Sequence, residues 1–291
     1  MPPESKRRKK KKKKKPRSLK EALAGKLSAK ELSSLVTSFD VIGTIAVIEI
    51  PGSLLKKKNL IARALMQANT HVKTVARIKG KHSGKYRVRP VEIVAGEHSA
   101  LTEHREHGCR FKVQVGKMFF SPRLSHERER ISALIRRDEI VGAFFAGVGP
   151  FPLVFAKHSP MKKAYAVELN PSAYKFLKEN IELNKCSESI EPILGDVRKV
   201  APRLKGKCDR IVMPLPKGAE HFLDSAFTAA APRCTVHFYQ FSPREAPFKE
   251  ALAKVKEAAK KFNRKARVLR KKKVRSFSPG IVQVVIDFRV Y

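Results

Sequence analysis

A chain of 291 residues that is 42% hydrophobic can bury a substantial core. No apolar run reaches the roughly 18 residues of a membrane span, and no apolar segment follows the charged N-terminus as a signal peptide requires. Lysine and arginine number 63 against 26 acids, a formal charge of +37, and a surplus that large points to a polyanionic partner, nucleic acid before an anionic membrane surface.

In chain order, residues 1–17 come first. They carry ten consecutive bases, Lys6 to Lys15, which repel one another and bury nothing, so the segment is expected to be a disordered tail that adds nonspecific RNA affinity. Beyond residue 20 the chain still holds 51 bases against 25 acids, so the folded body is basic as well. Residues 18–35 read as one or two short helices. SFDVIGTIAVIEIPG (38–52) alternates apolar residues up to Pro51-Gly52 and reads as one strand. LLKKKNLIARALMQAN (54–69) has helical spacing with bases on its outer side. Residues 71–97 read as strands joined by a basic, Gly-containing turn, and EHGCRFKVQVGKMFF (106–120) as a further strand region. Together these predict a small basic α+β RNA-binding domain at 18–112.

After residue 120 the pattern changes. An apolar strand at Ile140–Ala146 meets a Gly-rich turn, and strand and helix signals then alternate to the end of the chain. Alternating βα units predict a doubly wound, mostly parallel α/β domain, Rossmann-like, at 113–291. Cys109, Cys186, Cys208 and Cys234 form no CxxC pair; neither a zinc knuckle nor a disulfide framework is expected, and a reducing compartment is.

The chemistry gathers at strand ends. FFAGVGPFPLVFAK (144–157) is a strand, a turn through Gly147 and Gly149, and a helix opened by Pro150, a place where backbone approaches a ligand closely. Glu168 ends the next strand, 19 residues after Gly149, where an acid accepts hydrogen bonds from both ribose hydroxyls of a nucleotide cofactor. Asp196 in LGD ends the third strand, within reach of an adenine amine, and Met213-Pro214-Leu215-Pro216 ends the fourth. Singly, Glu168 and Asp196 could be exposed turn acids; four such loops in order line one crevice.

These segments, with ELNPSAYKFLKENIELNK and GDVR, resemble class I S-adenosylmethionine-dependent methyltransferases. SFDVIGTIAVIEI, GKYRVRPVEIVAGE, KMFFSPRLSHERERI, FAGVGPF and DRIVMPLPKGAEHFLD are similar to the archaeal and eukaryotic tRNA (guanine-N1)-methyltransferases, which act on the guanosine at position 37. The resemblance runs from about residue 38 to the C-terminus. It implies S-adenosyl-L-methionine as cofactor, tRNA as partner, a monomer and a cytoplasmic location. It implies that Glu127 is the base removing the N1 proton, its pKa raised by partial burial, and that Arg87 is the cation at O6 or a phosphate. Read alone, HERER is the exposed start of a helix, and Arg87 is one of many cations on a basic strand. The resemblance further assigns Arg123, Phe145, Gly147, Gly149, Glu168, Asp196 and Pro214 to the cofactor, and Arg89, Phe119 and Pro216 to the substrate. No metal is implied; His104 and His107 are expected at the surface or facing tRNA.

Three departures stand out. Pro214 replaces the Asn of many relatives, which argues against an exocyclic-amine methyltransferase. Ala143 stands where an acid usually opens the GxG strand, and residues 1–37 are too short for an extra N-terminal domain. The alternatives are aminocarboxypropyl transfer to, or methylation of, a wyosine precursor at position 37 and, from another class, a non-catalytic RNA-binding scaffold.

Overall fold

A computed structural model describes residues 16–80, 84–86 and 88–291. The lysine run of the tail and Arg87 both lie outside the described residues. The chain divides into two compact units, one reaching Lys79 and resuming at Val91–Ser99, the other comprising Gly80–Pro90 and Ala100–Tyr291.

In the first unit, α1 (Leu19–Leu23) is capped by Ser18 and α2 (Ala29–Ser34) by a reciprocal Ser28–Glu31 capping box. The segment 38–52, expected as one strand, is two: β1 (Phe39–Ile42) and β2 (Ile45–Ile48), antiparallel, with Ile42 opposite Ile45. Gly43 at φ 55° supplies the left-handed residue that a two-residue hairpin turn demands. Helix α3 (Lys58–Ala68) buries Ile61, Ala62, Ala64 and Leu65 along one stripe. β3 (Thr74–Ile78) runs parallel to β2, and β4 (Val91–Gly96) antiparallel to β3, giving the order β1-β2-β3-β4. Leu23, Ile48, Leu54, Ile61, Leu65 and Val75 form its core.

The second unit opens with a hairpin, β5 (Leu101–Glu106) and β6 (Cys109–Gln114), followed by α4 (Ser125–Ser132). Then come β7 (Ile140–Phe144), α5 (Pro150–His158), β8 (Lys163–Glu168), α6 (Pro171–Leu183), β9 (Ile190–Leu194) and α7 (Val197–Val200). The chain continues through β10 (Cys208–Met213), α8 (Leu223–Ala229), β11 (Ala230–Pro243), α9 (Lys249–Lys261), β12 (Ala266–Ser278) and β13 (Ile281–Val290). The sheet order is β12-β13-β11-β10-β7-β8-β9. The five strands from β11 to β9 are parallel, and β13 and β12 add an antiparallel margin. Chain order runs outward from β7 to β9 on one side and restarts at β10 on the other, so the carboxyl ends of β7 and β10 flank a topological switch point. Phe144, Val167, Ile211, Met213, Phe238, Val284 and Phe288 fill the core of this sheet.

The hairpin differs from expectation. Placed by sequence in the domain ending at 112, it belongs to the second unit. Two amides one helical turn apart, one on α6 and one at its C-cap, replace a neighbouring strand for β6. Asn180 accepts from the Lys112 N–H at 2.7 Å and donates to its carbonyl at 3.1 Å. Asn184 does the same for Arg110 at 2.9 and 2.7 Å. Both side chains are buried, so each satisfies backbone groups that would otherwise lose their water.

Candidate active site

The rim at the switch point is made mostly of backbone. Phe145, Gly147 and Gly149 all have positive φ, 57°, 58° and 92°; for Phe145, a bulky residue, that is stored strain. Gly149 caps α5, and a Cβ there would sit in strained backbone and press on Leu177 Cδ1 at 2.7 Å. Glu168 at the end of β8 stitches the rim: Oε2 accepts from the Gly147 N–H at 2.6 Å and Oε1 from the Asn170 N–H at 2.7 Å. Burial pushes its carboxyl above the usual range, against those backbone donors. Asn170 caps α6 and reaches the Lys117 carbonyl at 3.0 Å. Asp196 caps α7 and lies in the fork of Arg198, at 3.0 and 2.6 Å, which holds it below the usual carboxylate range. The Arg198 guanidinium covers the Phe222 ring, which meets Phe145 edge-on at 4.9 Å. The turn through Pro214 and Leu215 is closed by a bond from the Leu215 N–H to the Met213 carbonyl, and the Pro216 carbonyl accepts from the Phe241 N–H. Phe145, Gly147, Gly149, Glu168, Asp196, Pro214 and Pro216 thus share the carboxyl ends of β7 to β10. Phe119 is 45% exposed, and its carbonyl abuts Gly147. Ala143 is buried in the middle of β7. Arg123 is exposed on a short 3-10 turn, and Arg89 donates to the Gly80 carbonyl at 3.1 Å. His104 and His107, expected at the surface or facing tRNA, are half-buried; His104 sits against Phe120, and His107 bonds Ser125.

Glu127 overturns the reading of HERER as an exposed helix start: it is 2% exposed. Its Oε2 accepts from Tyr239 Oη at 2.8 Å and Arg130 Nη2 at 2.8 Å, and its Oε1 accepts from Lys272 Nζ at 2.6 Å. The expected rise in its pKa is corrected too. Burial alone pushes the carboxyl up, but Arg130, Lys272 and Tyr239 together hold it below the ordinary carboxylate value. The charges continue inward. Arg130 Nη1 reaches Asp287 Oδ2 at 2.7 Å, and Asp287 Oδ1 lies 2.7 Å from His237 Nδ1. His237 Nε2 lies 2.8 Å from Arg210 Nη1, and Arg210 Nε donates to Glu139 at 2.7 Å. Because arginine only donates, Nε2 of His237 is the acceptor and its proton sits on Nδ1, facing Asp287. Burial holds this imidazole neutral, opposed by Asp287. Asp287 is pulled down to about 2: burial works against its ionisation, and His237 and Arg130 outweigh it. The adjacent Arg128, 1% exposed, turns the other way, binding Glu106 and the Ser121 carbonyl between the rings of Phe120 and Phe151. Helix α4 is therefore pinned on two sides by two successive charged residues.

Buried ion pairs are a poor route to stability, since desolvation consumes most of their attraction. Buried, charge-coupled titratable groups of this kind are instead concentrated at functional sites. Fold and site together define a doubly wound α/β enzyme domain, with a nucleotide rim at its switch point and a buried, ionised carboxylate on the helix before the first strand of its sheet. A family model described as the TRM5/TYW2 methyltransferase domain matches residues 102–269, and one described as the TYW2 N-terminal domain matches residues 19–99. The chain is 42% identical over 256 residues to "tRNA (guanine(37)-N(1))-methyltransferase Trm5b" of Pyrococcus abyssi, covering 88% of this chain and 76% of that one. A solved complex of aTrm5 with tRNALeu aligns with TM-score 0.87 at 34% identity, over 99% of this chain and 82% of that one. TYW2 of M. jannaschii, solved with AdoMet, aligns with TM-score 0.68 at 28% identity, over 87% and 99%. The chain belongs to the TRM5/TYW2 methyltransferase family.

Sequence reasoning missed Tyr239, Lys272, Asp287 and His237. They stand 112, 145, 157 and 107 positions from the α4 residue each serves or extends, Glu127 for the first two and Arg130 for the others. One signal was present: acids and bases at Arg210, His237 and Asp287 inside otherwise apolar strand runs, where a charge demands a partner.

Proposed function

We propose that the protein transfers the methyl group of S-adenosyl-L-methionine to N1 of guanosine 37 in tRNA. The buried, ionised Glu127 carries this reading. Guanine N1 is protonated at neutral pH and a poor nucleophile, so methylation needs a group that takes that proton. Glu127 is a carboxylate already in its accepting form. Lys272, with a side chain 34% exposed on the outermost strand, is the donor that a guanine N1–H displaces. Its departure removes one of the interactions holding the Glu127 pKa down and so makes the carboxylate a better base. Arg130 and Tyr239 stay and fix its orientation.

The rim fits the cofactor. Each Glu168 oxygen accepts one backbone N–H and keeps capacity for a ribose hydroxyl, and the glycine turn leaves room for backbone approach. When bound there, the cofactor supplies an electrophilic methyl group. The residues do the rest: Phe145 and the 213–216 turn enclose it, Asp196 borders the adenine, and Arg123 steadies the flanking backbone. Arg87 meets the charge moving onto guanine O6, Arg89 and Phe119 approach the target nucleotide, and Pro216 lines its pocket. The basic first unit grips the tRNA. The monomer implied by the family resemblance is kept as the expected state, and an enzyme of tRNA maturation without a membrane-spanning helix among its described residues fits the cytoplasm.

A second reading, aminocarboxypropyl transfer to a wyosine precursor, draws support from the resemblance of residues 19–99 to a TYW2 N-terminal domain. The test is transfer of labelled methyl to an unmodified tRNA transcript carrying G37, beside the same transcript with A37. The expected result is 1-methylguanosine from the first and no product from the second. Equal labelling of both, or none of either while the cofactor binds, contradicts the proposal.

A further inference from the structure

One corner of the sheet is left over by this mechanism. Phe277, near the end of β12, is 55% exposed and stacks on half-buried Phe241 of β11, with ring centroids 4.2 Å apart and planes at 37°. Exposed aromatic pairs on a basic surface are unusual, because an unpartnered Phe gains nothing from water. Register locates the pair. Tyr239, Val285 and Lys272 lie in one row across β11, β13 and β12, and Phe241, Gln283 and Arg275 lie in the next. Directly opposed residues share a face, so the Phe pair stands on the face that holds Glu127, one row nearer the carboxyl end of β11. Two residues of strand span about 7 Å, roughly the spacing of successive nucleobases when a single strand is slightly extended. The row is also tied to the rim, since the Phe241 N–H donates to the Pro216 carbonyl at 2.8 Å.

The surroundings suit a nucleotide. Arg244 is braced against the hairpin turn by bonds to the Pro279 carbonyl at 3.0 Å and Ser276 Oγ at 3.1 Å. Arg275 donates to Gln283 Oε1 at 2.8 Å. That bond orients the fully buried Gln283, whose Nε2 has no hydrogen-bond partner among the described residues. An unspent donor in the row of Phe241 and Arg275, with Arg275 bonded to the same side chain and Arg244 bonded to the adjoining turn, matches a base with its phosphate better than an apolar protein segment.

We propose that Phe241 and Phe277 form a stacking shelf for an unpaired nucleobase adjacent in sequence to the one presented to Glu127, with Arg244 and Arg275 on its backbone. The inference rests on the tRNA reading above and adds a second base site to it. The shelf holds the neighbour in place while the target base turns out of the stack.

The experiment uses the full chain and full-length tRNA with 2-aminopurine placed on either side of nucleotide 37. Wild type quenches the probe at one of the two positions on binding. Phe277→Ala loses that quenching and raises the tRNA Kd about tenfold, in the range of one lost base stack; Phe277→Trp, which keeps an aromatic face, retains both. Cofactor affinity, measured on each variant, reports folding. Quenching and Kd unchanged in a folded Phe277→Ala overturn the shelf alone. A wild type that neither binds nor methylates the G37 transcript overturns the tRNA reading and the shelf with it.

Discussion

The two halves of the seven-stranded sheet serve the site by different means. Around β7, β8 and β9 the ligand rim is made of backbone: three positive-φ residues, two helix caps and a carboxylate that binds main-chain N–H groups. Across β10, β11, β13 and β12 the site is made of side chains, alternating in charge from Lys272 through Glu127, Arg130 and Asp287 to Arg210 and Glu139. A backbone site tolerates many side chains but is sensitive to a Cβ at its left-handed glycines. A side-chain site tolerates backbone variation but no change of charge. One half therefore shapes a pocket, and the other sets a protonation state.

The largest effect follows from removing a charge in the second half. Asp287→Asn leaves the buried Arg130 without one of its two carboxylate partners and gives the neutral His237 Nδ1–H an uncharged neighbour, and is expected to cost about 3–5 kcal/mol at neutral pH, read by chemical denaturation. The sign with pH is fixed. The carboxyl sits at about 2 in the fold, below its unfolded value, so its contribution is full above about pH 4 and fades as pH falls towards 2. Stability of the wild type should drop through that window, and the variant should lack that part of the drop. A variant as stable as wild type at neutral pH would show that the charge chain is not coupled to the fold.

The matching test of the backbone half is Gly149→Ala. The residue is left-handed, and its new Cβ would press on Leu177, so a loss of about 1–2 kcal/mol is expected, with weaker cofactor binding in titration calorimetry. A silent Gly149→Ala would mean that the turn is not held tightly. Smaller still is Tyr239→Phe. The hydroxyl stabilises the ionised Glu127, so its loss raises that pKa and moves the acid limb of the kcat/KM profile to higher pH. A merely structural tyrosine would lower the rate without moving the limb.

The same contrast decides what could be read from sequence. Gly147, Gly149 and Pro150 are local signals, legible because backbone conformation is set by neighbours within a few positions. The order of the βα units followed from periodicity. Glu127 stood out only by family resemblance. Its burial could not be read from HERER, where two acids and two arginines compete and only distant partners decide which turn inward. The hairpin at Leu101–Gln114 was misassigned for a similar reason: strand alternation does not reveal that Asn180 of α6 and its C-cap Asn184 supply its edge. Alternation over 38–52 likewise suits one long strand or two short ones, and the difference rests on the single left-handed Gly43.

The central claim is that Glu127, held ionised by its neighbours, takes the guanine N1 proton. Its most direct test is single-turnover methyl transfer by Glu127→Gln, with cofactor and G37 tRNA both saturating. The amide keeps the size of the side chain and cannot accept the proton. A rate lowered about 10²–10⁴-fold, with cofactor affinity preserved, is predicted; a rate within a few fold of wild type would assign the proton to another group and contradict the account.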